Sequence, residues 1–314
     1  MTFSTLNDAL VYHQEKYEVQ KQLEALVTAE GYQMIEPAYF EDYDQFIKLH
    51  QRVKKRSMVK LNDAEGVIRV LRPDITTSMM RDIIPKWHNG LRLKLFYNTT
   101  VFQYTPEGIK EQKQFGLEAL GKNDASLDRD VMRLILRIFS DFKLSFMLEI
   151  SYAPFLNTLI AGLNINDQDK HTLKDIIYHK NQAALEEIVK TFKPSSYLEI
   201  LKVLFDLQGS LDEIKTTLNA LDLPKDIKTC LNQLNAYKSI FEKDTVTLDL
   251  SLLSAYDYYS GLVFKGYLKN HPAAVLKGGR YNTKAMGYEK DVDAIGFSFS
   301  LAALLEEVMR QNGK

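Results

Sequence analysis

Leu91-Arg92-Leu93-Lys94-Leu95-Phe96-Tyr97 opens a stretch, running to Tyr104, in which the charged Arg92 and Lys94 alternate with the apolar Leu93, Leu95 and Tyr97. A period of two is the signature of a strand with one buried face. Glu107-Gly108 suits the turn after it, and Lys113 to Leu120 reads as a returning strand, so the stretch predicts a long antiparallel hairpin. Side-chain alternation then places Gln114 and Glu118 on one face of the second strand.

Around the hairpin the pattern is mixed. Asn7 to Ala29 predicts a helix with Leu10, Tyr17, Leu23 and Leu26 on its inner face, broken at Gly31. Tyr32 to Pro37 reads as extended. Met58-Val59-Lys60-Leu61 and Val67-Ile68-Arg69-Val70-Leu71 flank Glu65-Gly66 as a short hairpin. Arg72-Pro73-Asp74 turns the chain into a helix over 76–84, capped near its start. Leu127, Val131, Leu134, Ile135, Ile138 and Phe142 recur at helical spacing, and Asp128 and Asp130 suit the positive end of that helix dipole. From Asn157 to Glu242 strand alternation disappears. Pro194 and Pro224 punctuate helical segments there, which predicts an inserted helical subdomain at 157–242 within a core made of 1–156 and 243–314. Thr245 to Leu250, Leu262 to Phe264 and Val275-Leu276 read as further strands, Gly278-Gly279-Arg280-Tyr281 as a turn, and Ala294 to Arg310 as strand then helix. The expected class is α+β, an antiparallel sheet flanked by helices.

Composition excludes several functions. Among 314 residues, 40 Lys plus Arg nearly balance 41 Asp plus Glu, so the basic excess that tRNA binding calls for is missing. The one dense basic cluster, Arg52-Val53-Lys54-Lys55-Arg56, reads as a solvated loop or helix face. A single cysteine, Cys230, excludes an internal disulfide and suits a small buried filler in its leucine-rich surroundings. The six histidines have no ligand spacing, so no metal or other cofactor is expected. Met1-Thr2-Phe3-Ser4 lacks the pattern of a signal peptide and no run is long enough to span a membrane, so a cytoplasmic protein is expected.

A free amino acid offers an ammonium and a carboxylate, and histidine adds two ring nitrogens. A pocket for it calls for acids and hydrogen-bonding groups. Asp74, Gln114 and Glu118 supply acids and an amide, and Thr76, Tyr258 and Tyr259 supply hydroxyls. Each also has a plain reading: Asp74 as a helix N-cap, Glu118 as a solvated strand residue, the tyrosines as sheet packing.

Taken together, these segments resemble the histidyl-tRNA synthetases. Leu71-Arg72-Pro73-Asp74-Ile75-Thr76 is similar to that family's Leu-Arg-Pro-Glu-Gly-Thr, and Gln114, Gly116 and Glu118 to its Gln-x-Gly-x-Glu. Tyr256-Asp257-Tyr258-Tyr259-Ser260-Gly261-Leu262-Val263-Phe264 resembles Leu-Asp-Tyr-Tyr-Asn-Arg-Thr-Val-Phe. Gly278-Gly279-Arg280-Tyr281-Asn282 resembles Gly-Gly-Arg-Tyr-Asp, and Ala294-Ile295-Gly296-Phe297 the final strand. The resemblance implies the class II synthetase fold and a histidine pocket made by Asp74, Thr76, Gln114, Glu118, Tyr258 and Tyr259.

The departures fall on the chemistry. Where the family carries an arginine after the phenylalanine of its second motif, Phe102 is followed by Gln103; Ser254 stands at a second arginine position and Ala303 at a third. Amino-acid activation builds negative charge on the ATP α-phosphate, which fixed cations must stabilise. Adenylate formation is therefore expected to fail, and a chain ending at Lys314 is expected to lack an anticodon-binding domain. A synthetase core without those features resembles the ATP phosphoribosyltransferase regulatory subunits. That resemblance implies a chain without catalysis of its own, needed by the short-form catalytic subunit at the first step of histidine biosynthesis and for feedback inhibition by histidine. It further implies a hetero-octamer with four copies of each chain, no tRNA and no membrane. A strand ending at Pro37, within the first-motif-like segment Tyr32 to Phe40, is expected to pair two copies across a two-fold axis. Two other readings stand beside it: a divergent synthetase-like enzyme that still activates an amino acid, and an accessory subunit of another pathway. Arg69, Arg72 or Arg280, if oriented inward, would favour the first of these.

Overall fold

Thr5 and Asp8 start the described structure with a reciprocal capping box, each side chain accepting the other's backbone N–H at 3.1 and 3.0 Å. In the computed structural model the described residues are 5–49, 55–122, 124–254 and 258–313. The capped helix α1 (Leu6–Ala29) buries Val19, Leu23 and Val27, one i, i+4 row. Leu10 and Tyr17, expected on the inner face, are 60% and 57% exposed. The buried row is confined to the C-terminal half of α1, where it meets the sheet and helix core.

The elements that follow are β1 (Gln33–Met34), β2 (Phe40–Asp42), α2 (Tyr43–Leu49), β3 (Lys60–Asn62), β4 (Ile68–Leu71), α3 (Ile75–Ile83), β5 (Leu93–Thr105), β6 (Gly108–Leu120), α4 (Ala125–Asp141) and β7 (Phe146–Tyr152). Next come α5 (Ala153–Gly162), α6 (Asp167–Tyr178), α7 (Gln182–Ile188), α8 (Ser196–Lys202), β8 (Gln208–Gly209), α9 (Leu211–Asn219), α10 (Lys225–Leu234) and α11 (Lys238–Phe241). The chain closes with β9 (Val246–Asp249), β10 (Tyr259–Leu268), β11 (Leu276–Asn282), β12 (Asp293–Ser300) and α12 (Leu301–Gln311).

The large sheet has the order β1-β5-β6-β12-β11-β10-β7-β9-β8. Its middle is antiparallel, whereas β1 pairs with β5 and β7 with β9 in parallel, so the sheet is mixed. The predicted hairpin is its spine: β5 and β6 pair from Leu93 with Leu120 to Thr105 with Gly108. The short hairpin β3–β4 joins β2 in a separate three-stranded sheet. The helices α5 to α11 bury their leucines and isoleucines in the same apolar cluster as α4, β7 and α12. Cys230 is buried there. Lys55 and Arg56 of the basic cluster are exposed, while 52–54 lie outside the described residues.

The stretch read as a turn, Gly278-Gly279-Arg280-Tyr281, is the body of β11, paired on both sides. Its glycine serves close approach, since a Cβ on Gly278 would stand 2.3 Å from the carbonyl oxygen of Gly296. Arg280 points to the helix side, where its Nε donates to Asp128 Oδ1 at 2.6 Å and its NH1 to the Lys122 carbonyl at 3.1 Å. Tyr237 donates to the other oxygen of Asp128 at 2.6 Å. Asp128 is therefore a buried counter-charge; Asp124 caps α4 by accepting from Leu127 N at 2.9 Å.

Arg280 and Asp128 are both nearly inaccessible, so removing one strands the other's charge. Asp128→Ala should cost on the order of 3–5 kcal/mol, read as a lower urea midpoint. A loss under about 1 kcal/mol would show the pair to be incidental.

Candidate functional site

On β6, side-chain alternation sends Lys110, Gln112, Gln114, Gly116 and Glu118 to one face. Register carries that face across the sheet: Glu118 lies opposite Gly296 on β12, and Gly296 opposite Gly279 on β11. Over it lies a cavity of about 270 Å³. All six expected pocket residues, Asp74, Thr76, Gln114, Glu118, Tyr258 and Tyr259, line it.

Glu118 sits at the base, 3% exposed. Thr76 Oγ1 donates to its Oε1 at 2.7 Å and the Tyr281 hydroxyl to its Oε2 at 2.9 Å. Gly296 makes room for it, as a Cβ there would fall 1.9 Å from Oε2. Burial, reinforced by nearby Asp74, pushes the carboxyl up to about 8 against the two hydrogen bonds, which favours its protonated form at neutral pH. Burial, and then the charge of Glu118, also raise Tyr259 and Tyr281, which remain hydroxyl donors.

Asp74 fulfils both of its readings. It lines the cavity, and its Oδ2 accepts from Thr77 N at 2.8 Å and Thr77 Oγ1 at 2.7 Å, capping α3. The helix is fixed from behind, because Ser78 and Arg81 both donate to the buried Glu41 of β2. Tyr288 of the β11–β12 connection adds a bond to the Thr77 carbonyl at 3.2 Å. Tyr258 packs between neighbours, 4.9 Å from the Tyr259 ring and 5.6 Å from that of Tyr281.

The three arginine-replacement positions are dispersed. Gln103 lines the outer part of the cavity. Ser254 lines a separate hollow of about 30 Å³, with Lys174 and Tyr259. Ala303, in the first turn of α12, is buried in the apolar cluster. Asp257 lies outside the described residues.

No arginine among the described residues lines the cavity. Arg72 is fully buried, with Nε donating to the Thr100 carbonyl at 2.8 Å, further bonds to Pro37 and Ala38, and its guanidinium 4.1 Å from the Tyr39 ring centre. Arg280 is on the opposite face of β11, and Arg69 pairs with Asp63 and Asp42 on the small sheet. None of the three takes over the missing positions.

Sequence reasoning missed Tyr281, Tyr97, Lys277 and Ser298, which also line the cavity. Reading Gly278 to Tyr281 as a strand paired with β12 would have put Tyr281 and Lys277 on the face of Glu118. No group of His, Cys, Asp and Glu among the described residues is placed to hold a metal ion.

The family model for histidyl-tRNA synthetase matches residues 7–304. The chain belongs to the histidyl-tRNA synthetase family. Within its reach are ATP phosphoribosyltransferase regulatory subunits. One from Caldanaerobacter subterraneus subsp. tengcongensis is 27% identical over 95% of this chain and 81% of its own length. One from Clostridium novyi is 29% identical over 93% of this chain and 72% of its own. A structure described as an ATP phosphoribosyltransferase regulatory subunit/histidyl-tRNA synthetase, from Bacillus halodurans C, superposes with a TM-score of 0.84 at 25% identity, covering 98% of this chain and 82% of that one. A chain from the ATP phosphoribosyl transferase (HisG:HisZ) complex of Thermotoga maritima shares the fold, with a TM-score of 0.67 at 20% identity over 91% and 97%. The expected synthetase-like fold is thus present, with a mixed sheet.

Because Glu118 holds its proton in the folded chain to about 8 but releases it near 4.5 when unfolded, the unfolded state binds fewer protons between those values. Its contribution to stability is full below about 4.5 and is lost as pH rises through about 8. Glu118→Gln should flatten that decline in thermal unfolding scans across this window. Parallel curves for variant and wild type would place the ionisation elsewhere.

Proposed function

We propose that this chain is the regulatory subunit of a short-form ATP phosphoribosyltransferase, serving the first step of histidine biosynthesis and its feedback inhibition by histidine. The observation that carries the reading is a cavity that keeps the acids, amide and hydroxyls for an amino acid while every arginine near it is turned to structural work. The names of its relatives support the same reading. In it Asp74, Thr76, Gln114, Glu118, Tyr258 and Tyr259 contact histidine, and the ligand ammonium draws Glu118 into its ionised form. Gln103, Ser254 and Ala303 leave the α-phosphate of ATP without a fixed cation, so the chain activates no amino acid and needs no tRNA.

The chain works in the cytoplasm with its catalytic partner, in a hetero-octamer with four copies of each, and 157–242 is a subdomain inserted in the synthetase-like core. The derivation of one structural relative from a transferase complex supports the partnership. Two copies pair near β1 and β2, where Met34, Tyr39 and Phe40 are exposed apolar side chains.

The deciding experiment is a histidine titration of phosphoribosyl transfer in the reconstituted complex at pH 8.5, where Glu118 ionises readily. Replacing the charge by Glu118→Gln removes a charge-assisted hydrogen bond, so inhibition should need roughly ten- to a hundredfold more histidine. An unchanged inhibition curve would assign histidine another site. Histidine-dependent pyrophosphate exchange by the isolated chain would instead mark it as an activating enzyme.

Sedimentation of the isolated chain at micromolar concentration should give a dimer that Phe40→Glu dissociates. A monomeric wild type would remove the pairing from the proposal.

A further inference from the structure

Tyr259 is a partition with different neighbours on its two sides. One side lines the ligand cavity, where its ring covers Gly279 of the floor: a Cβ there would stand 2.7 Å from the ring. The other side borders the hollow of about 30 Å³, closed by Leu252, Leu253, Ser254 and, from α6, Lys174. A ring in that place shapes the cavity only as well as its far side is held.

One short stretch of chain does much of the holding. Lys174 and Tyr178 stand one turn apart on α6, and Lys174 reaches the hollow. The centre of the Tyr178 ring lies 6.0 Å from the Lys265 ammonium, which donates to the Leu253 carbonyl at 3.2 Å. Just past the helix, Lys180 donates to Asp249, a carboxylate 2% exposed at the end of β9. The other oxygen of Asp249 accepts from Ser251 N at 2.9 Å and from Ser251 Oγ at 2.6 Å. These bonds fold the turn from which the chain runs on to Tyr258 and Tyr259.

The backbone at Lys180 adds an independent sign. Its φ is 48°, in the left-handed region, where the end of α6 is closed by bonds of 3.0 Å from Lys180 N to the Ile177 carbonyl and from Asn181 N to the Ile176 carbonyl. Glycine suits that position best. The residue that bears the strain here is one whose side chain crosses to a buried acid of the sheet.

We propose that Lys180, acting through Asp249, and Tyr178, acting through Lys265, position Tyr259 and so set the affinity of the cavity from the helices between β7 and β9. The inference rests on the reading of the cavity as a histidine site and adds where occupancy is felt. Coupling is reciprocal, so a ligand that settles against Tyr259 also steadies the end of α6.

Calorimetric titration of the full chain with L-histidine tests it, beside a histidine titration of phosphoribosyl transfer in the reconstituted complex. Lys180→Gly removes the latch and relieves the left-handed backbone, so the unfolding midpoint should stay near that of wild type. Histidine affinity should fall about two- to thirtyfold, the range for residues that couple to a ligand without touching it. Lys180→Arg should restore binding and Tyr178→Ala should weaken it. Lys170→Ala, which breaks only a pair with Asp167 within α6, should leave it alone. The rate without histidine should be unchanged in all four. Hydrogen exchange should show histidine slowing the amides of His179 to Asn181 in wild type but not in Lys180→Gly. Wild-type affinity in Lys180→Gly or in Tyr178→Ala overturns the role of that residue and leaves the histidine site standing. So does a loss of affinity that comes only with a lowered midpoint and that Lys180→Arg does not restore. A wild type that does not bind histidine removes the site and the inference together.

Discussion

A carboxyl group buried without a cation beside it sets the terms for the whole ligand face. Such a group is costly unless it is neutral, hydrogen-bonded or paired. Glu118 meets the first two conditions through burial and through Thr76 and Tyr281, and leaves the third to whatever enters the cavity. Its neighbours follow from that choice. Gly296 cannot carry a side chain without striking it, and the hydroxyls that face it must come from α3 and β11. An ammonium beside this carboxyl would favour the ionised form that burial alone disfavours.

The buried arginines hold the frame around the cavity in place. Arg72 binds β5 to the segment after β1, and Arg280, through Asp128 and Tyr237, binds the ligand strand β11 to α4 and to the end of the helical region. Arg81 and Ser78 hold α3 to β2 through Glu41. In each case a guanidinium satisfies a buried carbonyl or carboxylate, and none of the three lines the cavity. These contacts locate Thr76 and Asp74 over the sheet, so the lining of the cavity depends on charges that stand outside it.

Local pattern made much of this readable. The β5–β6 hairpin, the capped start of α3 and the helix α4 follow from alternation, an aspartate cap and helical periodicity. What escaped were features set by distant strands. Gly278-Gly279 has the local character of a turn, and only the carbonyl of Gly296 shows why a strand needs glycine there. Asp128 looks like a helix-dipole residue until Arg280, remote in sequence, arrives beside it. Leu10 and Tyr17 fit a helical stripe, yet the buried residues of α1 all lie in its far half. The parallel pairs of β1 with β5 and of β7 with β9 have no local signature, because each joins segments separated by other elements. Within the cavity, the acids and hydroxyls were legible as motifs, whereas Tyr281 and Lys277 became visible only through strand register.

A cavity lined by acids and hydroxyls but by no arginine among the described residues suits ground-state binding better than catalysis of charge build-up. Catalysis needs interactions that strengthen as charge develops in the transition state, whereas sensing needs only equilibrium affinity for the ground state. On the proposed reading, Glu118, Thr76 and Gln114 serve the second purpose. For binding there to regulate a partner, the ligand must favour one arrangement of the protein over another. The path from ligand to surface is short: Thr76 belongs to α3, whose Ser78 and Arg81 grip Glu41, and the next residue on β2, Phe40, is exposed. That contiguity is the minimum a regulatory subunit requires. Here the groups nearest the ligand and those nearest the surface are held by the same helix.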